Sequence, residues 1–209
     1  PEQPSQTRKS REPIPLRVAR PFLSASTQNP LQPSQSRMFG GPSPQRPTLP
    51  GRLMDRYKTV VLGASGLVAQ RLQQRLFQHP LFELTSVAGS SWCGMNLNNV
   101  PWRLEEERPI LPGLTIEDVH DETVPRRLYE QGIRIAFSAL PSEHAVYIEP
   151  RWAKAGITVF SNASSFRLTE GVPLVIPEIN PLALNGIAEV GHPIVCATNC
   201  TLLPLIMPL

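Results

Sequence analysis

Two short stretches of the 209-residue sequence hold residue types fit for chemistry. One is Thr198-Asn199-Cys200-Thr201, which follows the strand-like run PIVCA and precedes TLLPLIMPL. A cysteine where a strand gives way to a helix is a candidate nucleophile. The unpaired N–H groups and positive dipole end of the helix favour its thiolate, and the same N–H groups can hold an oxyanion formed beside it. An isolated Asn199-Cys200 dipeptide would favour a structural use, so context must decide. Of the other thiols, Cys196 lies within the strand run and reads as buried packing, and Cys93 reads as a loop thiol without a partner. The second stretch is Gly63-Ala64-Ser65-Gly66-Leu67-Val68-Ala69. Glycines at a strand-to-helix turn let the backbone approach a phosphate closely, and the helix start offers free N–H donors. Ser65 adds a hydroxyl donor. Where a third glycine is usual stands Ala69, still small enough for close helix packing.

Both stretches need elements to position them. Residues 58–62 (KTVVL) form a β-branched run ahead of the glycine turn, and LVAQRLQQRLFQ follows it with Val68, Leu72 and Leu76 spaced along one helical face. His79-Pro80 ends that helix. Further strands are expected at 84–88, 133–140, 157–161, 174–176 and 194–197, and a helix at 142–155. Alternating strands and helices with apolar strands predict an α/β fold, a Rossmann-like, doubly wound, mostly parallel sheet. Residues 91–130 are polar and carry no clear period; the run Glu105-Glu106-Glu107 reads as a solvated loop.

Composition divides the chain. Residues 1–57 carry nine Lys+Arg against three Asp+Glu and 11 of the 24 prolines; of totals of 20 and 17, the rest keeps 11 basic and 14 acidic residues. The positive charge therefore belongs to the tail. Residues 1–56 read as a disordered Pro/Ser/Arg-rich tail, 57–198 as a dinucleotide-binding domain and 199–209 as the start of a catalytic domain. An Arg- and Ser-rich tail has some organellar-targeting character, but its prolines oppose the amphipathic helix such a leader needs. Cytoplasmic location is the expectation: three cysteines give no disulfide framework. No apolar run approaches the ~20 residues that span a bilayer, and the basic tail lacks the aromatics of a nucleic-acid surface. Neither membrane, nucleic acid nor metal is an expected partner.

The segments GASGLVAQR, SALPSEHA, KAGITVFSNASSFR, VPLVIPEINP and TNCT, in this order, resemble aspartate-semialdehyde dehydrogenases, particularly their archaeal and fungal branch. The resemblance covers residues 57–209. It implies Cys200 as nucleophile with Asn199 beside it, and Gly63, Ala64, Ser65, Gly66, Leu67 and Val68 as the dinucleotide loop. It also implies Ser90 and Ser91 near a 2′-phosphate, Leu140, Pro141 and Ser142 over the cofactor, and Ser161-Asn162-Ala163 lining the cleft. The implied cofactor is NADP, with NAD possible: no acidic residue follows the second strand to select NAD, yet Trp92 and Cys93 stand where the family's NADP enzymes carry a basic residue. Thr201 replaces the usual serine after the nucleophile.

The reaction implied is reduction of 4-phospho-L-aspartate, an acyl phosphate, to L-aspartate 4-semialdehyde through a cysteine thioester, in the biosynthesis of lysine, methionine and threonine. The family's general-base histidine and substrate-gripping arginines lie in a second half, and its members are homo-oligomers. The chain stops nine residues beyond Cys200, so the resemblance implies a fragment that binds cofactor weakly or not at all and is inactive alone. His79, His120, His144 and His192 match no family base. Arg167 is the one basic residue with a functional case, as a phosphate contact, against a surface ion pair. Three alternatives stand beside this reading: N-acetyl-glutamyl-phosphate reductase, whose Pro-Gly-Cys signature is absent, an acyl-CoA reductase of the same scaffold, and a non-catalytic dinucleotide-binding module.

Overall fold

Successive residues of a strand face opposite sides of its sheet, and β1 (Tyr57–Leu62) uses this to serve two cores. Val60 and Leu62 join one apolar cluster and Val61 the other; all three are fully buried. The computed structural model describes residues 55–185, 187 and 193–207. The tail expected at 1–56 thus lies outside the described residues except for Asp55 and Arg56, as does His192.

From β1 the chain runs through α1 (Leu67–Leu76), β2 (Phe82–Gly89), β3 (Ile116–Asp118), α2 (Thr123–Glu130), β4 (Ile135–Ser138), α3 (Ser142–Lys154), β5 (Thr158–Ser161), β6 (Leu174–Val175), β7 (Ile194–Ala197) and the single turn α4 (Leu203–Ile206). The seven strands form one sheet in the order β3-β2-β1-β4-β5-β7-β6, and every paired neighbour is parallel. Strands 1 to 3 wind one way and strands 4 onward the other, so the winding reverses between β1 and β4. Loops at the carboxyl ends on either side of such a reversal leave a crevice where ligands bind. Because all strands are parallel, the turns after β1, β2, β3, β4, β5 and β7 share that edge.

The expected α/β fold is the observed one. Sequence periodicity missed β3 and α2. On α1 the expected face holds at Leu76, which is buried, and Leu72, which packs against the core, but not at Val68. Val68 is 46% exposed, and the residues α1 buries are Ala69, Gln70, Gln73 and Leu76. Two glutamines are buried because they hold the preceding turn by hydrogen bonds, a task that leaves no apolar signature.

The face carrying α2 and α3 is closed by Val124, Leu128, Ile148 and Trp152 packed on Val60, Leu62 and Val159. On the other face α1 contacts β1 and β2. Beyond it, Phe137 of β4 and Phe160 of β5, register partners, stack with ring centroids 5.7 Å apart, and Phe160 stays 37% exposed. With Val68, Leu72 and Val195 they line an apolar groove of about 310 Å³. Among the described residues, no helix is long and apolar enough to cross a membrane.

Candidate functional site

At the end of β1, Gly63 adopts a left-handed φ of +83°, and a Cβ there would stand 2.9 Å from the Ala139 carbonyl oxygen. Only glycine combines that conformation with that approach. The N–H groups of Gly63 and Ala64 donate to Ala88 O at 2.8 and 3.1 Å, and Gly66 N–H donates to Gly63 O at 2.9 Å. Gly66 caps α1 without a side-chain hydrogen bond, and the first turn of the helix carries no acid. The positive end of a ten-residue helix is left with its donors uncapped, as an anion site requires. Gln73 Nε2 donates to Ala64 O at 2.8 Å, and Gln70 Nε2 to Pro101 O at 2.9 Å and to Ser65 O at 3.4 Å. The two glutamines fix the turn from below. A backbone cradle that a Cβ would fill, opening on an uncapped helix start, fits the pyrophosphate of a dinucleotide.

The cleft over this turn holds about 310 Å³. Gly63, Ser65, Gly66, Ser90, Ser91 and Leu140 all line it. The other cofactor candidates stand elsewhere. Ala64 is fully buried, and Leu67 and Val68 expose their side chains, Val68 on the apolar groove. The hydroxyl of Ser142 pairs with that of Ser164 at 2.9 Å and accepts Ser164 N–H at 3.1 Å. Asn162 lies on the groove side of the sheet, its N–H donating to Ser138 O at 3.0 Å. Sequence reading missed His120 and His144, which line the same cleft with ring centroids 6.2 Å apart. His120 sits in no motif and His144 lies in one, SALPSEHA, in which nothing marks it as a partner for His120; the fold alone joins the loop after β3 to the first turn of α3. Among the described residues no Lys or Arg lines the cleft, and no group of His, Cys, Asp or Glu is placed to hold a metal.

Cys200 is exposed in the turn after β7. Asn199 Oδ1 organises that turn, accepting Thr201 N–H and Oγ1–H at 2.9 Å each and the Cys200 thiol at 3.6 Å. The expected helix start at Cys200 needs correction. The turn continues through Leu202, whose N–H donates to Asn199 O at 3.0 Å, and α4 begins at Leu203 and is four residues long. A dipole summed over one turn is small, so the thiol's surroundings here are the Asn199 side chain and the turn backbone. Among the described residues Arg167 forms no ion pair, and the guanidinium of this half-buried residue donates to main-chain carbonyls. Its Nε donates to Ala197 O at 2.9 Å, and Nη2 to Asn162 O at 2.9 Å and Thr198 O at 3.4 Å. The guanidinium ties the segment after β5 to the turn that carries Cys200.

Two of the three thiols stand where ionisation is opposed. Cys196 is sealed in β7, where burial and then Glu149 push its thiol up to about 11. The Cys93 thiol is raised by desolvation and by the carboxylates of Asp118 and Glu117. Limiting iodoacetamide at neutral pH is therefore expected to alkylate Cys200 first, Cys93 more slowly and Cys196 only on unfolding, because the thiolate is the reacting form. Peptide mass mapping reads the order. Equal labelling of Cys200 and Cys93 would contradict this account.

A glycine turn between β1 and α1, with its cleft at the winding reversal of a parallel sheet, defines a dinucleotide-binding α/β domain. Residues 58–187 match the family model described as semialdehyde dehydrogenase, NAD binding domain, and the chain belongs to that family. It is 42% identical over 163 residues to the aspartate-semialdehyde dehydrogenase of Archaeoglobus fulgidus, a match covering 74% of this chain and 46% of that protein. The malonyl CoA reductase (NADP) of Metallosphaera sedula is 32% identical over 143 residues, covering 63% of this chain and 36% of that one. Among solved structures, aspartate semialdehyde dehydrogenase with NADP from Candida albicans superposes with a TM-score of 0.64 at 29% identity, over 74% of this chain and 46% of that chain. The chain spans about half the length of the curated relatives it matches.

Proposed function

We propose that this domain binds NADP(H) in the cleft over Gly63 and Gly66 and presents Cys200 for reduction of an acyl phosphate, 4-phospho-L-aspartate, to its semialdehyde. The observation that carries the reading is that the glycine turn and the cysteine turn leave the same edge of one parallel sheet, the second of them anchored by Arg167. The identity to the archaeal aspartate-semialdehyde dehydrogenase supports the substrate class.

In this mechanism the Cys200 thiolate attacks the acyl carbon, the carbon–oxygen bond to phosphate breaks, and inorganic phosphate leaves a thioester on Cys200. Asn199 Oδ1 fixes the turn so that Sγ stays exposed to substrate. Ser90 and Ser91 face the cleft as hydroxyl donors to the adenosine side. The nicotinamide dinucleotide, when bound, supplies the hydride that reduces the acyl group. Cys200 then departs as thiolate, releasing the aldehyde. A second reading, reduction of an acyl-CoA thioester by the same thiol, draws support from the malonyl CoA reductase relative. Assay of a longer protein carrying this domain with aspartyl phosphate and malonyl-CoA in parallel separates the two.

The binding half of the proposal is tested on the chain itself by energy transfer from tryptophan to reduced nicotinamide. Saturable but weak binding is expected, tighter for NADPH than for NADH by roughly tenfold, since hydrogen bonds to a charged phosphate contribute about 1.5–3 kcal/mol. Ser90→Ala with Ser91→Ala should remove that preference. Equal affinity for both dinucleotides in the unmodified chain would overturn the NADP assignment.

A further inference from the structure

Beneath the site lies a carboxyl group for which the mechanism has no use. Glu149, in the middle of α3, has no exposed surface and, among the described residues, forms no ion pair. A charge there would be desolvated without compensation. Burial accordingly pushes its pKa up, opposed by the nearby hydroxyls of Ser138 and Ser161. Glu149 Oε1 accepts the Ser161 hydroxyl at 2.8 Å, and Ser161 Oγ in turn accepts Ala163 N–H at 3.1 Å. Glu149 Oε2 and Ser138 Oγ have no partner at hydrogen-bond geometry, although the Ser138 hydroxyl stands near enough to oppose the upward push on the carboxyl.

The two serines are the last residues of β4 and β5 and are register partners across the ladder. They lead into different parts of the site. After Ser138 comes the stretch Ala139-Leu140-Pro141 on the dinucleotide cleft. After Ser161 comes the segment whose Asn162 carbonyl Arg167 holds together with those of Ala197 and Thr198. A stretch that is otherwise apolar thus places three buried polar residues under the junction of cofactor loop and cysteine loop. An apolar side chain of similar volume would fill the space at no cost in desolvation. A hydrogen-bonded network, in contrast, admits one geometry of its members.

We propose that Glu149 is a positioning residue: through Ser161 and Ser138 it joins the carboxyl ends of β4 and β5 and sets the spacing between the 139–142 loop and the 162–167 segment. The proposal rests on the dinucleotide reading for its functional consequence, but its geometry can be tested without a ligand. The variants are Glu149→Gln, which keeps a donor and an acceptor, and Glu149→Leu, which keeps the volume. Hydrogen exchange is followed at the amides of Asn162 and Ala163 and, as a reference, at Val60 and Val61, while NADPH affinity is measured on the same samples. The leucine variant is expected to exchange the first two amides about tenfold faster with the reference pair unchanged, and to bind NADPH about tenfold more weakly, the scale of one lost buried hydrogen bond. Glutamine should restore both to within about twofold of the unmodified chain. Should the leucine variant fail to fold, Ser161→Ala removes the same hydrogen bond without touching α3; it also strips Ala163 N–H of its acceptor, so there the faster exchange must appear at Asn162, whose N–H donates to Ser138 O. Unchanged protection of Asn162 and Ala163 in a folded Glu149→Leu chain, or of Asn162 in a folded Ser161→Ala chain, overturns the proposal, as does a uniform rise in exchange that includes Val60 and Val61. An unmodified chain that binds no NADPH, with the local exchange pattern intact, would instead count against the dinucleotide reading alone.

Discussion

Gly63→Ala is expected to cost the domain about 2–5 kcal/mol and to weaken NADPH binding at least about 100-fold, through left-handed backbone strain and a backbone clash. The new methyl would meet Ala139 O at 2.9 Å and would sit on a residue held at φ +83°. Relief requires the turn after β1 and the loop after β4 to move apart, and both segments line the cleft. Gly66 provides the control. Its φ is −73°, and a Cβ there would lie 3.3 Å from Gly63 O, so Gly66→Ala should fold nearly as well while still crowding the cradle. Urea midpoints and fluorescence titrations of both variants check this. A Gly63→Ala chain with the parent's midpoint and affinity would show that the turn is not the cradle described.

In a longer protein that carries this domain, Cys200→Ser is expected to lower the reductive rate by roughly four orders of magnitude or more while NADPH affinity stays within about twofold, because a hydroxyl at neutral pH is a far weaker nucleophile than a thiolate. Cys196→Ser is the companion test. That sulfur is sealed and its thiol is pushed up to about 11, so its loss should change stability and leave turnover largely intact. If Cys200→Ser retained most of the activity, chemistry through a thioester at this position would have to be abandoned.

The central βαβ unit was legible in the sequence because its parts signal independently: a β-branched run, a glycine turn and a helix stopped before His79-Pro80. β3 was not legible because it is three residues long, IED, with only Ile116 buried. α2 was obscured by Pro125 near its start and by a buried face of only Val124, Pro125 and Leu128. The face of α1 was read only in part, for a different reason. Val68 and Leu72 do follow the helical period, but they line the groove beside Phe137 and Phe160, whereas the sheet-facing positions hold glutamines whose role is to bind the turn. In the site, glycine and serine positions on adjacent strand ends gather around one cleft, as linear order along a parallel sheet allows. Ser142, Asn162 and Arg167 were named from the sequence, but what they bond to was beyond reach, because their partners are main-chain groups and a neighbouring hydroxyl. His120 and His144 gain a common wall only when α3 docks.

The buried pair Gln70 and Gln73 has a consequence for how α1 seats itself. A helix resting on a sheet through leucines alone can slide by a turn or roll a few tens of degrees and still satisfy its contacts, since dispersion has no direction. Carboxamides aimed at the carbonyls of Ala64, Ser65 and Pro101 accept a single seating, in the way a lone buried asparagine fixes alignment in a coiled coil. The uncapped end of the helix is thereby indexed to the backbone beneath it, at some expense in apolar cohesion.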